Sequence, residues 1–408
     1  MYEKFLTLSY AIARHESAPY LTERYHYLEH CAARGDTKRV MRNKCDGLYW
    51  AAHILDPFAE SGVTEEQLLG AVSQWAAEQQ IRSSCAQKSV VSIARPWLRF
   101  LGWWQDPKVV VPFEKELNQY CQWLDTERGL TPSTIDQWRR RTCCFMQWCG
   151  SEKSSLTALQ PTDIDQYLMH GHAKGWCRST TAAYVNALRS FFRYAEVQGW
   201  CRPKLASTLQ SPRIYQDESL PAGPSWADVQ RLLEMLKSNR PQGIRNYAIA
   251  LLLAVYGLRT SEVTNLRLQD IDWENERLVV PRVKRRAPQS YPLVASVGNS
   301  IAQYLQEVRP AVEREQVFLG MRPPHNALTQ GALYAFISPC LKQLGCTLSH
   351  WGPHALRHAC ARHLISNELS LKEIGDHLGH RSASATRVYA KVNLQALKDV
   401  AAFDLGDL

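Results

Sequence analysis

Arg277-Leu278-Val279-Val280-Pro281-Arg282-Val283 and, after Lys284-Arg285-Arg286-Ala287-Pro288, Gln289-Ser290-Tyr291-Pro292-Leu293 form the clearest strand-like pair in a chain that otherwise repeats apolar residues with a helical period. The pair reads as a β-hairpin with a basic tip. Upstream of it, helices over about 226–238 and 243–255 lead into Leu258-Arg259-Thr260-Ser261-Glu262; downstream, the helical pattern resumes from Gly298 to the end, with a break around Pro323-Pro324. The fold class expected is therefore mainly α with a small β-sheet in the C-terminal part.

Further out, Pro203, Pro212, Pro221, Ala222-Gly223 and Pro224 interrupt any regular element between Trp200 and Trp226, which marks a linker. Before it, from Pro112, aromatic-rich helices start at Thr131-Pro132-Ser133-Thr134 and at Arg178-Ser179-Thr180-Thr181, where hydroxyls are expected to cap orphan backbone N–H groups. Three consecutive arginines, Arg139-Arg140-Arg141, cannot share one helix face, so only part of that run can meet a ligand. A helical bundle with a charged rind accounts for the same pattern. The first hundred residues contain several amphipathic helices and a basic cluster from Arg34 to Lys44, with Lys38, Arg39 and Arg42 inside it, which touches phosphates or is a solvated face. The expected division is a helical domain 1–108, a second helical domain 112–215, a linker ending at 216–225, and a C-terminal domain 226–408.

The 408 residues are 45% hydrophobic and 21% charged, which excludes collagen, a coiled coil and wholesale disorder and suits two or three domains. The longest strongly apolar run, Tyr247 to Gly257, is about half of the roughly 20 residues a membrane span needs, and Met1-Tyr-Glu-Lys-Phe lacks the layout of a secretory signal. A soluble, cytoplasmic protein without a membrane partner is expected, nucleoid-associated if bacterial. The 12 cysteines are scattered, with no repeated Cys-x-x-Cys pair, and read as reduced thiols. A net charge of +9 has the sign for a polyanionic partner without singling one out.

Residues suited to a phosphodiester follow one another in the C-terminal part: Arg259, Lys284 on the hairpin tip, His354 and Arg357 three apart on one helix face, His380, and Tyr389. Two guanidiniums can hold the non-bridging oxygens of one phosphate in forked hydrogen bonds and neutralise a pentacoordinate state. No metal and no cofactor is then required.

From Trp226 to Lys391 the chain resembles the catalytic domain of the tyrosine recombinases, also called phage integrases. The resemblance rests on Gly257-Leu258-Arg259-x-Ser261-Glu262, on Tyr291-Pro292-Leu293, on His354-x-x-Arg357-His358, and on Leu378-Gly379-His380 followed by Tyr389, with 26 residues from His354 to His380 and 9 more to Tyr389. Residues 112–215 resemble the family's core-binding domain more loosely. The resemblance implies a multidomain DNA clamp in which Tyr389 attacks the scissile phosphate, forms a 3′-phosphotyrosyl link and expels a 5′-hydroxyl. It implies Lys284 as general acid, Arg259 and Arg357 as the phosphate clamp, His354 assisting proton transfer and His380 bonding the phosphate. It further implies double-stranded DNA with specific recombination sites as partner and a homotetramer working through a Holliday junction, and leaves open whether accessory recombination proteins take part. Candidate DNA contacts are Arg139, Arg140, Arg178, Thr180, Arg282, Arg285 and Arg286. Glu262 is expected to orient Arg259 or to cap a buried interaction, while the apolar residues Leu394, Leu397, Val400, Phe403 and Leu405 suggest a tail that docks on a neighbouring subunit or packs in cis.

Lys284 departs from the family's usual Gly-Lys-Gly hairpin, but it is the only lysine there and stands eight residues before Pro292; Arg285 and Arg286 stay protonated and would make poor acids. In isolation Tyr389 is one of 17 tyrosines, and His354 with Arg357 is an ordinary surface pair. His358, His363, His377 and His350 read as packing, surface or loop histidines. A type IB topoisomerase would use nearly the same residues without a pair of sites, and a non-catalytic DNA-binding regulator would be expected to have lost one of the six positions. The unmatched N-terminal hundred residues favour a mobile-element integrase or transposase within the recombinase reading.

Overall fold

The computed structural model describes residues 2–55, 62–80, 83–106, 111–150, 155–214, 223–282, 288–346, 348, 350–379 and 386. The chain divides into two compact units, Asp106–Gln216 and the remainder, Met1–Gln105 with Asp217–Leu408.

In the N-terminal region, helices α1 (Ser9–Glu16), α2 (Leu21–Ala33), α3 (Lys38–Leu55), α4 (Glu65–Glu78) and α5 (Ser83–Leu101) surround a core that includes Leu28, Met41, Leu48, Leu68 and Trp97. Two short parallel strands, β1 (Val63–Thr64) and β2 (Trp104–Gln105), tie the start of α4 to the end of α5. Thr64 starts α4 with a capping box, its hydroxyl accepting from the Gln67 amide at 3.2 Å.

The unit Asp106–Gln216 contains α6 (Glu114–Thr126), α7 (Pro132–Cys149), α8 (Pro161–Ala173), α9 (Arg178–Val197) and the short α10 (Leu205–Thr208). Tyr120, Phe145, Phe191 and Phe192 are fully buried and meet edge to face, with Tyr120 and Phe191 centroids 5.3 Å apart. The arrangement suits aromatic quadrupoles and gives the unit its own centre. The two expected hydroxyl caps are absent. Thr131 bonds sideways to the Thr134 hydroxyl at 2.9 Å, so a neighbouring hydroxyl engages the oxygen that a backbone N–H would need, while the N-cap of α9 is Cys177, whose Sγ lies 3.1 and 3.2 Å from the Ser179 and Thr180 hydroxyls.

The C-terminal region builds α11 (Trp226–Leu236), α12 (Pro241–Val255), α13 (Thr260–Thr264), the antiparallel sheet β3 (Ile271–Asp272), β4 (Arg277–Val280) and β5 (Gln289–Pro292), then α14 (Ala295–Gln303), α15 (Gln330–Gln343), α16 (Pro353–Ser366) and α17 (Leu371–Leu378). The apolar run that ends at Gly257 is the central helix α12. Ala248 to Ala254 are buried without a gap, as in a helix enclosed on every side, and each large side chain there contributes on the order of 1.5–3 kcal/mol. The expected hairpin is present, with Leu278 opposite Tyr291 and Val280 opposite Gln289. The break around Pro323-Pro324 is wider than its sequence suggests. After α14 the chain makes a π turn at Tyr304–Val308 and stays irregular until α15, held by Arg309 Nε donating to Val317 O at 3.2 Å while Val317 and Phe318 enter the core. No helix among the described residues is long and apolar enough to cross a membrane.

Candidate active site

The site starts where α12 must stop. Gly257 has φ +58°, and a Cβ there would stand 2.5 Å from Leu378 Cδ2, so both the left-handed turn and the close approach require glycine. That turn delivers Arg259 to the N-cap of α13. Its amide donates to Glu262 Oε2 at 2.7 Å, its Nη1 to Glu262 Oε1 at 2.8 Å and its Nη2 to Gly379 O at 3.1 Å. The Arg259 side chain keeps a third of its surface exposed, whereas Glu262 is 6% exposed. Burial pushes the Glu262 carboxyl up, but the Arg259 amide, Arg282 and the Arg259 guanidinium together outweigh burial and hold it below the usual carboxylate range. Glu262 is therefore an anion that holds Arg259 from beneath.

Arg357 comes from α16, which Pro353 opens after Gly352; a Cβ at Gly352 would overlap the Tyr334 ring. Only 2% of Arg357 is exposed. Its Nη1 donates to Gly257 O and its Nη2 to Leu378 O at 2.7 Å, so one guanidinium joins the turn before Arg259 to the last turn of α17. Carbonyls at a helix C-terminus lack intrahelical donors and carry the negative end of the dipole, which makes them natural partners for arginine.

His354 lies one turn before Arg357 with its side chain reaching the surface. Partial withdrawal from water pushes its imidazole below the ordinary value, and Arg357, Arg259 and His350 push the same way. The exposed edge weakens the first cause, but the two guanidiniums alone fix the sign. His358 meets the His354 ring edge-on at 5.2 Å and is pushed down to about 4, chiefly by burial and then by His354 and Arg357. His363 stacks on Trp226 at 3.9 Å, and His377 Nε2 lies 3.3 Å from Val255 O, so both serve packing.

Arg282 does not present itself to a ligand, which corrects its reading as a DNA contact. It is 5% exposed. Its Nη1 sits 2.6 Å from Glu262 Oε2 as an ion pair poorly aligned for a hydrogen bond. Its Nε and Nη2 donate to Gln289 Oε1 at 3.1 and 2.9 Å, and Nη2 also reaches the Tyr291 hydroxyl. Tyr291 in turn donates to His377 O, and Gln289 Nε2 to Asp376 O at 2.7 Å. The sequence did carry a signal for this: with period 2, Leu278, Val280 and Arg282 fall on the same buried face.

Among the remaining candidates, Arg139 is half-buried on α7, and Arg140 is exposed and paired with Asp136 one turn earlier. Arg178 and Thr180 occupy the first turn of α9, with Arg178 exposed. Lys284, Arg285, Arg286, His380, Tyr389 and the tail from Ala390 lie outside the described residues. The structure thus brings together Arg259, His354, Arg357 and Glu262, beside Gly379, the residue before His380.

Residues 226–396 match the Phage integrase family, and residues 117–199 match the Phage integrase, N-terminal SAM-like domain. A protein of Sinorhizobium fredii (strain NBRC 101917 / NGR234) named as a candidate integrase/recombinase, y4rA, is 33% identical over 71% of this chain and 70% of its own length. Tyrosine recombinase XerC of Herpetosiphon aurantiacus is 29% identical over 69% of this chain and 91% of its own. In fold, the chain is similar to the XerH site-specific recombinase bound to a palindromic difH substrate, with a TM-score of 0.53 at 18% identity, covering 88% of this chain and 96% of that one. By these matches the chain belongs to the phage integrase family and is a tyrosine recombinase.

Proposed function

We propose that this recombinase cleaves and rejoins double-stranded DNA at specific sites through Tyr389, without metal or ATP. The Tyr389 oxygen attacks phosphorus as it gives up its proton, and the bond to the 5′-oxygen breaks as Lys284 protonates the leaving group. The 3′-phosphotyrosyl ester preserves the energy of the phosphodiester, so rejoining is the same reaction in reverse. Arg259 and Arg357 hold the non-bridging oxygens, His380 bonds one of them, and His354, neutral between cations, is suited to accept the tyrosine proton. The observation that carries this reading is the meeting of Arg259, His354 and Arg357 over the buried Glu262 carboxylate, next to Gly379.

The domain division 1–108, 112–215 and 226–408, with 216–225 ending the linker, belongs to the same proposal. The second and third domains face the DNA as a clamp, with Arg139, Arg140, Arg178, Thr180, Arg285 and Arg286 at phosphates and bases. A homotetramer holds two sites and exchanges strands through a Holliday junction. The N-terminal hundred residues, which lie outside the two matched family models, fit an integrase or transposase of a mobile element.

The test is to express wild type and Tyr389→Phe in cells carrying candidate donor DNA, trap denaturation-resistant protein–DNA adducts, and sequence the attached strands. Adducts at a discrete site from wild type alone are expected, and they should persist in EDTA. Equal adducts from both proteins would remove Tyr389 as nucleophile, and an absolute magnesium requirement for cleavage would refute the charge-neutralisation argument.

A further inference from the structure

We propose that Arg282 is a positioning residue for strand cleavage, acting through Glu262 on Arg259 and through Gln289 and Tyr291 on the end of α17. The inference rests on the function proposed above.

A buried guanidinium needs its donors satisfied and its charge balanced. Arg282 balances its charge on Glu262 and satisfies Nε and Nη2 on Gln289 and Tyr291, groups that each support a candidate catalytic residue. Glu262 uses Oε1 for Arg259 Nη1, and Oε2 is shared between the Arg259 amide and Arg282 Nη1. One carboxylate thus ties two arginines, and the less exposed one fixes the orientation from which it can serve the other. On its other edge Arg282 holds Gln289 and Tyr291, whose side chains bond Asp376 O and His377 O in the last turn of α17. Gly379 caps that turn at φ +64°, and a Cβ there would stand 2.7 Å from Arg282 Cζ, so guanidinium and helix end are in direct contact. In sequence, Arg282 precedes Lys284 by two and Gly379 precedes His380 by one. A residue that only filled the core two positions beyond β4, on the buried side of Leu278 and Val280, would be apolar as they are. Arg282 instead connects the tip end of the hairpin strands, the helix that Arg259 caps and Gly379, the residue before His380.

The experiment uses the full chain and the duplex recovered from the wild-type adducts. Single-turnover cleavage and duplex affinity are measured for wild type, Arg282→Met, Arg282→Lys, Tyr291→Phe, Glu262→Gln and the Arg282→Met/Glu262→Gln double variant. Partners that orient a reacting group are worth about 10- to 100-fold. Arg282→Met should cleave more slowly by that factor with duplex affinity unchanged, and Tyr291→Phe by several-fold. Arg282→Lys, which keeps the charge beside Glu262 but lacks the planar fork, should recover part of the rate. If Arg282 acts through Glu262, the double variant cleaves no more slowly than the worse single one. Fully additive losses would overturn the route through Glu262, and a loss that falls equally on affinity and on rate would mean that Arg282 supports the fold and nothing more. Should Arg282→Met fail to fold, Arg282→Lys and Tyr291→Phe carry the test, and wild-type cleavage by both overturns the proposal. Adduct formation by Tyr389→Phe would strike the function reading and leave this one to be judged by its own variants.

Discussion

Two fully buried arginines, Arg24 in the N-terminal region and Arg357 in the C-terminal one, solve the same physical problem with different consequences. Arg24 donates to Ala18 O at 2.6 Å, Pro19 O at 2.8 Å and the Tyr2 hydroxyl at 2.6 Å. Every partner lies within 22 positions along the chain, and the result is a closed N-terminal segment. Arg357 reaches Gly257 O across 100 positions and Leu378 O across 21. Each of those carbonyls belongs to a turn that runs on into a candidate catalytic residue, Arg259 or His380. A buried arginine on backbone carbonyls is therefore no signature of chemistry by itself. What distinguishes Arg357 is the company of a second, part-exposed guanidinium, a histidine at the surface, and a buried carboxylate below.

The sharpest way to break that contrast is to shorten both guanidiniums. Arg357→Lys cannot hold two carbonyls and a phosphate in one plane, and its single-turnover cleavage should fall by at least about 100-fold with duplex binding retained. Arg24→Lys in the same assay should cleave like wild type. Equal rate losses in the two variants would mean that Arg357 also works only as an internal tie.

The converse experiment concerns stability. Arg24→Leu leaves the Ala18 and Pro19 carbonyls and the Tyr2 hydroxyl without their buried donor, and each orphan costs on the order of 1–3 kcal/mol. Hydrogen exchange should show the loss in residues 2–55 and leave residues 241–264 protected. Uniform loss of protection would show that the two regions do not respond separately.

Acid should also discriminate. Burial pushes His358 down to about 4 and lowers His377, and it acts with the neighbouring arginines on His354; in the N-terminal region, burial lowers His15 despite the opposing pull of Asp46. All four values lie below that of an unfolded histidine, about 6.5. Between the two values the unfolded chain binds more protons, so stability present at neutral pH is lost as pH falls from about 6.5 toward 4. Among the described residues three such histidines stand in the C-terminal region against one in the other, so exchange protection there should fall more steeply between pH 7 and 5. His358→Gln should flatten the slope; an unchanged slope would remove His358 from the account.

Much of this was legible in the sequence because it depends on local pattern. Helical periods, the hairpin and the apolar run that became α12 are all set within a few turns of chain. The grouping of Arg259, His354 and Arg357 was legible only through motif order, since no period brings residues 100 apart together. Arg282 was misread because a basic tip and a basic strand residue look alike in composition; only the alternation with Leu278 and Val280 separates them. Thr131 was misread because its neighbours Ser133 and Thr134 compete for its hydroxyl, a choice that depends on rotamers rather than on residue type.

The smallest effect concerns the basic cluster of the N-terminal region, which the sequence left open between phosphate contact and solvated face. Nearly all of the chain's positive excess lies after residue 105. Within the cluster, Lys44 is already paired with Asp36 at 2.5 Å and Arg42 Nε donates to Phe5 O at 3.3 Å. Lys38 and Arg39 are exposed in the first turn of α3, at the end where the helix dipole disfavours cations. If that face is merely solvated, Lys38→Glu/Arg39→Glu should raise thermal stability by about 0.3–1 kcal/mol and leave the salt dependence of duplex binding as it was. Arg178→Glu, on the helix proposed to face DNA, should instead lower the slope of log K against log salt by about 1, the value of one phosphate contact. A slope that falls with the α3 pair would place the N-terminal region on DNA and turn the contrast between the two regions into a division of labour along one duplex.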